Sequence, residues 1–195
     1  MNRYEQTKNF IVDKLKAGLP ETLYYHGFHH VMDVLSSAEM LGEMEKISPM
    51  EMELLRIAVL FHDSGFTIHS KDHETLSCGI ARENLPLFGY SEKDIETICG
   101  MIMATKYPQQ PKNLLEEIIC DADLDYLGRD DFFEIANTLF KELSTYGIVA
   151  SEKDWYKLQE NFLNSHHYFT KSAINLRDDK KKKHLEKIKK IIIER

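Results

Sequence analysis

The chain has 195 residues, 43% hydrophobic and 29% charged, an ordinary globular balance that allows one well-buried core and leaves little room for two domains. Its net charge of −7 and pI near 5.7 create no field that would gather nucleic acid or an anionic membrane. No apolar run reaches membrane-spanning length and the opening MNRYEQTKNF lacks the apolar stretch of a signal peptide, so a cytoplasmic protein without a membrane partner is expected.

Nearly every segment has helical period. Tyr4 to Leu15 is amphipathic and stops at Gly18 and Pro20. Val31, Val34, Leu35, Ala38 and Leu41 form a second stripe, closed near Gly42. The string SPME at 48–51 reads as a capping box with proline at the first helical position. Leu54 to Phe61 follows as a helix apolar almost all round, hence buried, and halts at Gly65. Further helices are predicted to open at Asp72, at Ser91, after Pro111, at Asp130 and at Ser151, with a last one over about 178–194 that puts Leu185, Ile188, Ile191 and Ile192 on a stripe. No window alternates with period two for long enough to make a strand. The fold class expected is all-α, one helical bundle spanning 1–195 with no linker to divide it.

Cys78, Cys99 and Cys120 are far apart and each lies in an apolar-periodic segment, so they read as reduced core residues. The lysine-rich KKKKHLEKIKK reads as the solvated face of the terminal helix. Asp178, Asp179 and Glu186 dilute its charge and no aromatic residue is interleaved for base stacking, so no nucleic-acid partner is expected.

The chemistry concentrates in histidines and aspartates. YYHGFHHVMDV carries His26, His29 and His30; the buried helix ends LFHDSG with His62 and Asp63; IICDADLDYLG brings Asp121, Asp123 and Asp125 to the end of another apolar stripe. Titratable groups that close buried helices need a cation, donors or water. A histidine on one helix, a His–Asp pair on a second and an aspartate on a third could meet around one ion, and mixed imidazole and carboxylate ligands suit Mn, Fe, Co, Ni or Zn better than calcium. The plainer alternative is a helical bundle with exposed acids.

Taken together, His30, His62–Asp63 and Asp123 resemble the H…HD…D signature of the HD-domain superfamily of metal-dependent phosphohydrolases. The resemblance runs through YHGFHHVMDV, LLRIAVLFHDSGF, HETLS, LPLFGYSEKDIETICGMIMATKYPQQP and LLEEIICDADLDYLGRDDF, most of the chain. It implies a helical bundle of the HD-domain and phosphodiesterase type, with the metal-site core at about 22–130 and helices from 131–195 completing it. It implies that His30, His62, Asp63 and Asp123 hold a divalent ion (Mn, Fe, Co, Ni, Zn or Mg), and that metal-bound hydroxide attacks a phosphomonoester or phosphodiester, nucleotides being the usual substrates.

Other roles follow from the same resemblance. His26 corresponds to the proton donor of cyclic-nucleotide phosphodiesterases, although Gly27 stands where those enzymes have asparagine. A histidine at a helix entry bonded to a backbone group is the alternative. Two-metal relatives place histidines near His73 and on the next helix, but MIMATKYP has none, so one ion per chain is favoured. His73 is then left to bind substrate phosphate, Lys106 to add positive charge, and His166, in NSHHYFTKSA, to lie near the pocket. His29 and His69 are expected at the surface. Asp121 and Asp125 share a helical face that Asp123 does not, and are expected to orient His30 or His62 or to meet solvent. An inactive metal-binding module that senses a ligand or docks a partner is the competing function, and a homodimer is left open.

Overall fold

A computed structural model describes residues 2–194. Among them are nine α-helices and no strand: α1 (Arg3–Gly18), α2 (Phe28–Met44), α3 (Pro49–Phe61), α4 (His73–Asn84), α5 (Glu92–Ala104), α6 (Leu114–Asp123), α7 (Phe132–Thr145), α8 (Glu152–Ser165) and α9 (Lys171–Glu194). The all-α expectation holds. Ser48 and Ser91 each close a capping box with the acid three residues on, and Ser151 accepts from the Asp154 N–H.

α3 is the axis of the larger core. Leu55, Ile57, Ala58, Val59, Leu60 and Phe61 are each 0% exposed, and α1, α2, α5 and α6 all pack on this helix. Burial of each such side chain is worth roughly 1.5–3 kcal/mol, which is why an all-round apolar stretch can only be a central helix. A second apolar cluster gathers Tyr126, Leu127, Phe132, Trp155, Leu163 and Ile188 from α7, α8, α9 and the turn after α6. The three cysteines are free and buried, as their periodic settings imply.

Two glycines permit the approaches that build the site. A Cβ on Gly65 would stand 2.0 Å from the His73 carbonyl oxygen, and one on Gly128 would stand 2.4 Å from the Arg177 carbonyl oxygen. The first brings the start of α4 onto the His62–Asp63 turn. The second seats α9 on the turn after α6.

The last helix begins at Lys171, seven residues before the expected start. Thr170 accepts from the Ala173 N–H, and Asp121 in turn holds the Thr170 hydroxyl, so a tertiary contact supplies the cap. The lysine run is not solvated throughout: Lys181 is 5% exposed and donates to the His166 carbonyl.

Candidate active site

His30 lies in the first turn of α2, His62 at the C-terminal cap of α3 and Asp123 at the last position of α6. Three separate helix ends thus converge. His30 Nε2 is 3.1 Å from Asp123 Oδ1, and His62 Nε2 is 3.6 Å from the same oxygen. Asp63 Oδ2 lies 3.3 Å from His62 Nε2 and 3.7 Å from His30 Nε2. One ligand atom from each of His30, His62 and Asp123 falls within a 4.8 Å span.

The local chemistry suits a divalent cation. His62 Nδ1 donates to the Val59 carbonyl at 2.7 Å, a bond that fixes the ring and leaves Nε2 as the ligating atom. His62 Nε2 and Asp63 Oδ2 are both buried without a hydrogen-bond partner. Orphaned polar atoms of this kind are rare in a folded core, and an ion would satisfy both. Burial opposes charge on Asp63, but His62 and the neighbouring His73 hold its carboxyl well below the usual carboxylate range. Burial likewise opposes charge on Asp123, and His30 and His62 keep it ionised. Burial disfavours a charged His62, yet Asp63 and Asp123 outweigh it and raise the imidazole to about 9. Two carboxylates that stay ionised, Asp63 buried and Asp123 half-buried, are ready ligands.

A cavity of about 290 Å³ opens beside these groups, with His26, Asp63, His73 and Asp123 in its lining. His26 precedes α2, whose first residue is Phe28, so helical spacing does not align it with His30. Glu142 on α7 holds it instead. Glu142 Oε1 is 2.5 Å from His26 Nδ1, and Oε2 accepts the backbone N–H groups of Tyr25 at 2.8 Å and His26 at 3.1 Å. Burial disfavours the Glu142 carboxylate, but these donors, His26 foremost, lower its pKa. Sequence reasoning missed Glu142; its one trace was an acid between Leu139 and Leu143 of an apolar stripe.

The model for the HD domain family matches residues 27–125. The chain belongs to the HD family. Known structures share its fold: Bacillus subtilis YpgQ in complex with ADP has a TM-score of 0.70 at 17% identity, over 99% of this chain and 95% of that one. A predicted HD superfamily hydrolase from an uncultured Thermotogales bacterium has a TM-score of 0.63 at 18% identity, over 95% of this chain and 91% of that one. No curated protein sequence matches the chain. HD domains are metal-dependent, and the His/Asp cluster of this HD chain could hold the metal. His26 lies one residue outside the matched segment, and Glu142 well beyond it.

The remaining expected residues of the HD chain divide. His73 Nε2 stands 3.4 Å from Asp63 Oδ1 while Nδ1 donates to the Ser70 carbonyl, and its ring stacks on Phe66. Burial lowers the His73 pKa and the adjacent Asp63 raises it further, leaving it above the ordinary value. Lys106 does not line the cavity; its ammonium pairs with Asp72 at 2.8 Å in solvent. His29 and His69 are exposed. Asp121 and Asp125 do not orient the ligand histidines. Asp121 accepts from the Phe169 and Thr170 N–H groups and the Thr170 hydroxyl, and Asp125 pairs with Arg177 and Ser37. Both anchor the C-terminal helices, because α9 rather than solvent covers their face of α6.

His166 is buried but does not line the cavity either. Its Nδ1 lies 3.3 Å from Lys181 Nζ, and burial followed by that ammonium pushes its pKa down to about 3. Below the unfolded value of 6.5 the unfolded chain takes up a proton that the folded chain refuses. Stability therefore falls as pH drops from 6.5 toward 3. His166→Asn, whose side-chain oxygen can replace Nδ1, is expected to flatten this loss by about one proton in thermal melts across that range. An unchanged acid slope would contradict the assignment.

Proposed function

We propose that this HD protein is a phosphohydrolase that cleaves a phosphomonoester or phosphodiester, with nucleotides as the substrate class. The observation that carries the reading is the meeting of His30, His62, Asp63 and Asp123 beside a cavity that Asp63, Asp123 and His26 line. The structural likeness to YpgQ, which binds ADP in its crystal, favours a nucleotide. His30, His62, Asp63 and Asp123 would hold one divalent ion. When bound, such an ion supplies positive charge at a phosphoryl oxygen and makes a coordinated water more acidic.

The chain's own groups do the rest. His26 lines the cavity with Nδ1 engaged by Glu142, so Nε2 is the ring atom left to protonate the leaving ester oxygen. Water oxygen bonds to phosphorus and gives up one proton to solvent, the ester P–O bond breaks, and the departing oxygen takes the His26 proton, which solvent then restores. Glu142 fixes the ring through Nδ1 and so points Nε2 into the cavity, as a carboxylate partner does for a catalytic histidine. His73, its Nδ1 engaged by Ser70 and its Nε2 beside Asp63, lines the cavity and steadies the Asp63 carboxylate.

The test is phosphate release from nucleoside mono-, di- and triphosphates, cyclic nucleotides and aryl phosphates with Mn, Mg, Co or Ni supplied. His26→Ala should keep its metal and lose roughly 10²- to 10⁴-fold in turnover. Glu142→Gln should lose roughly 10- to 100-fold, also with metal content intact. No turnover on any substrate would replace this reading with that of a ligand-sensing module.

A further inference from the structure

The string HETLS, at the start of α4, places Ser77 four residues after His73, so both side chains leave the helix on one face. That helix packs on the turn after α3, which carries His62 and Asp63. Ser77 is 0% exposed. Its hydroxyl donates to the His62 carbonyl at 2.7 Å and accepts from the Gly65 N–H at 2.8 Å. One side chain from another helix thus ties the peptide units on either side of Asp63. One helical turn earlier, His73 Nε2 stands 3.4 Å from the Asp63 carboxylate.

His62 Nε2 and Asp63 Oδ2 have no hydrogen-bond partner, so the direction of each is set from behind. The Val59 carbonyl holds the imidazole, His73 the carboxylate, and the backbone both. A hydroxyl carries one donor and two acceptor lone pairs, which lets Ser77 serve two peptide units at once. Alanine there would leave a buried carbonyl and a buried N–H unpaired, and the turn would shift to recover them. We propose that Ser77 is a positioning residue of the metal centre, its hydroxyl fixing the backbone so that His62 Nε2 and Asp63 Oδ2 meet one ion; this rests on the ligand assignment within the phosphohydrolase reading and not on the reaction.

Ser37 on α2 is the contrast. It is 5% exposed, and its hydroxyl also joins two elements, donating to Asp125 at 3.2 Å. Asp125, however, pairs with Arg177 and holds α9. Loss of either hydroxyl removes a buried hydrogen bond and lowers stability. Only loss of the Ser77 hydroxyl frees the backbone that carries two ligands. Groups that hold a ligand from behind change metal affinity by roughly 10- to 100-fold when removed, so affinity separates the two serines where a melt does not.

The test measures metal binding without substrate, on the full chain stripped of metal and held well below its melting temperature. Mn is titrated calorimetrically, and the visible absorption of bound Co reports the geometry of the site. Ser77→Ala should weaken Mn binding roughly 10- to 100-fold and shift the Co band. Ser77→Cys, close in shape but a weak donor, repeats the Mn titration if the alanine variant does not fold. Ser37→Ala should lower the melting temperature while its Mn affinity and Co band stay those of the wild type. The proposal falls if the folded Ser77 variants bind Mn as tightly as the wild type. It falls equally if Ser37→Ala weakens Mn binding to the same extent, which would make the effect one of general stability. A wild type that binds neither metal overturns the ligand assignment and this role with it. A wild type that binds Mn in a Ser77-dependent way and hydrolyses nothing sinks the hydrolase reading alone and leaves the role of Ser77 standing.

Discussion

Asp123→Ala is expected to lose its divalent ion and all hydrolysis while the helices stay folded. Asp123 ends α6 between His30 and His62, at 3.1 and 3.6 Å from their Nε2 atoms. Its removal takes away one of the negative charges that hold a cation there and leaves two imidazoles facing a gap. Asp63→Asn should act the same way, because a ligand amide lacks the charge and polarises bound water less. Elemental analysis of protein purified without chelator, paired with phosphate release, reads both effects. A stoichiometric ion in Asp123→Ala would refute the ligand assignment. Asp121→Ala is the control: its carboxylate faces Phe169 and Thr170, so the ion should remain.

The largest stability effect is expected at Asp125, two residues on. Asp125 is 1% exposed, and Arg177 reaches it with Nε at 2.7 Å and Nη2 at 3.1 Å. The Ser37 hydroxyl donates to it at 3.2 Å, and Arg129 stands 3.6 Å away. The carboxylate thereby ties α9 and α2 to the turn after α6. Removing it leaves Arg177 uncompensated beside the core. A fully buried pair would cost about 3–5 kcal/mol when broken; because the Arg177 side chain keeps 20% exposure, about 2–4 kcal/mol is expected after allowing for screening. That corresponds to a melting temperature lower by roughly 5–15 °C for a chain of this size. Asp130→Ala, which removes an exposed partner of Lys180, should leave the melt unchanged. A shift of less than about 2 °C in Asp125→Ala would mean that α9 is held by its apolar face alone.

The two aspartates show where sequence reasoning stops. Helical spacing separated Asp123 from Asp121 and Asp125, and the structure keeps that separation. What the other two face was not legible. Periodicity says that a residue points away from a given stripe, and it cannot say whether solvent, a histidine or a distant helix fills the space. Here α9, some fifty residues later, fills it. The same helix changed the reading of the lysine run, since Lys181 and His184 turn inward to carbonyls of His166 and Leu127.

The cavity divides in the same way. Its ligand end was legible because titratable residues closing apolar helices are costly without a partner, and His30, His62, Asp63 and Asp123 each sit at such an end. Its far end was not. Glu142 is an ordinary polar residue on an amphipathic helix until α7 folds over the His/Asp cluster.

The sequence by itself determined the all-α class, the serine caps of α3, α5 and α8, the burial of α3 and the cysteines, and the resemblance to HD domains. These depend on local hydrogen bonding, on a 3.6-residue period and on a motif carried by a few positions. Only the tertiary structure decided that Glu142 grips His26, that Asp121 and Asp125 serve α9, and that Lys106 lies outside the cavity. Each of these is a pairing between groups far apart in the chain, and its energy depends on what covers a side chain, which no local pattern records.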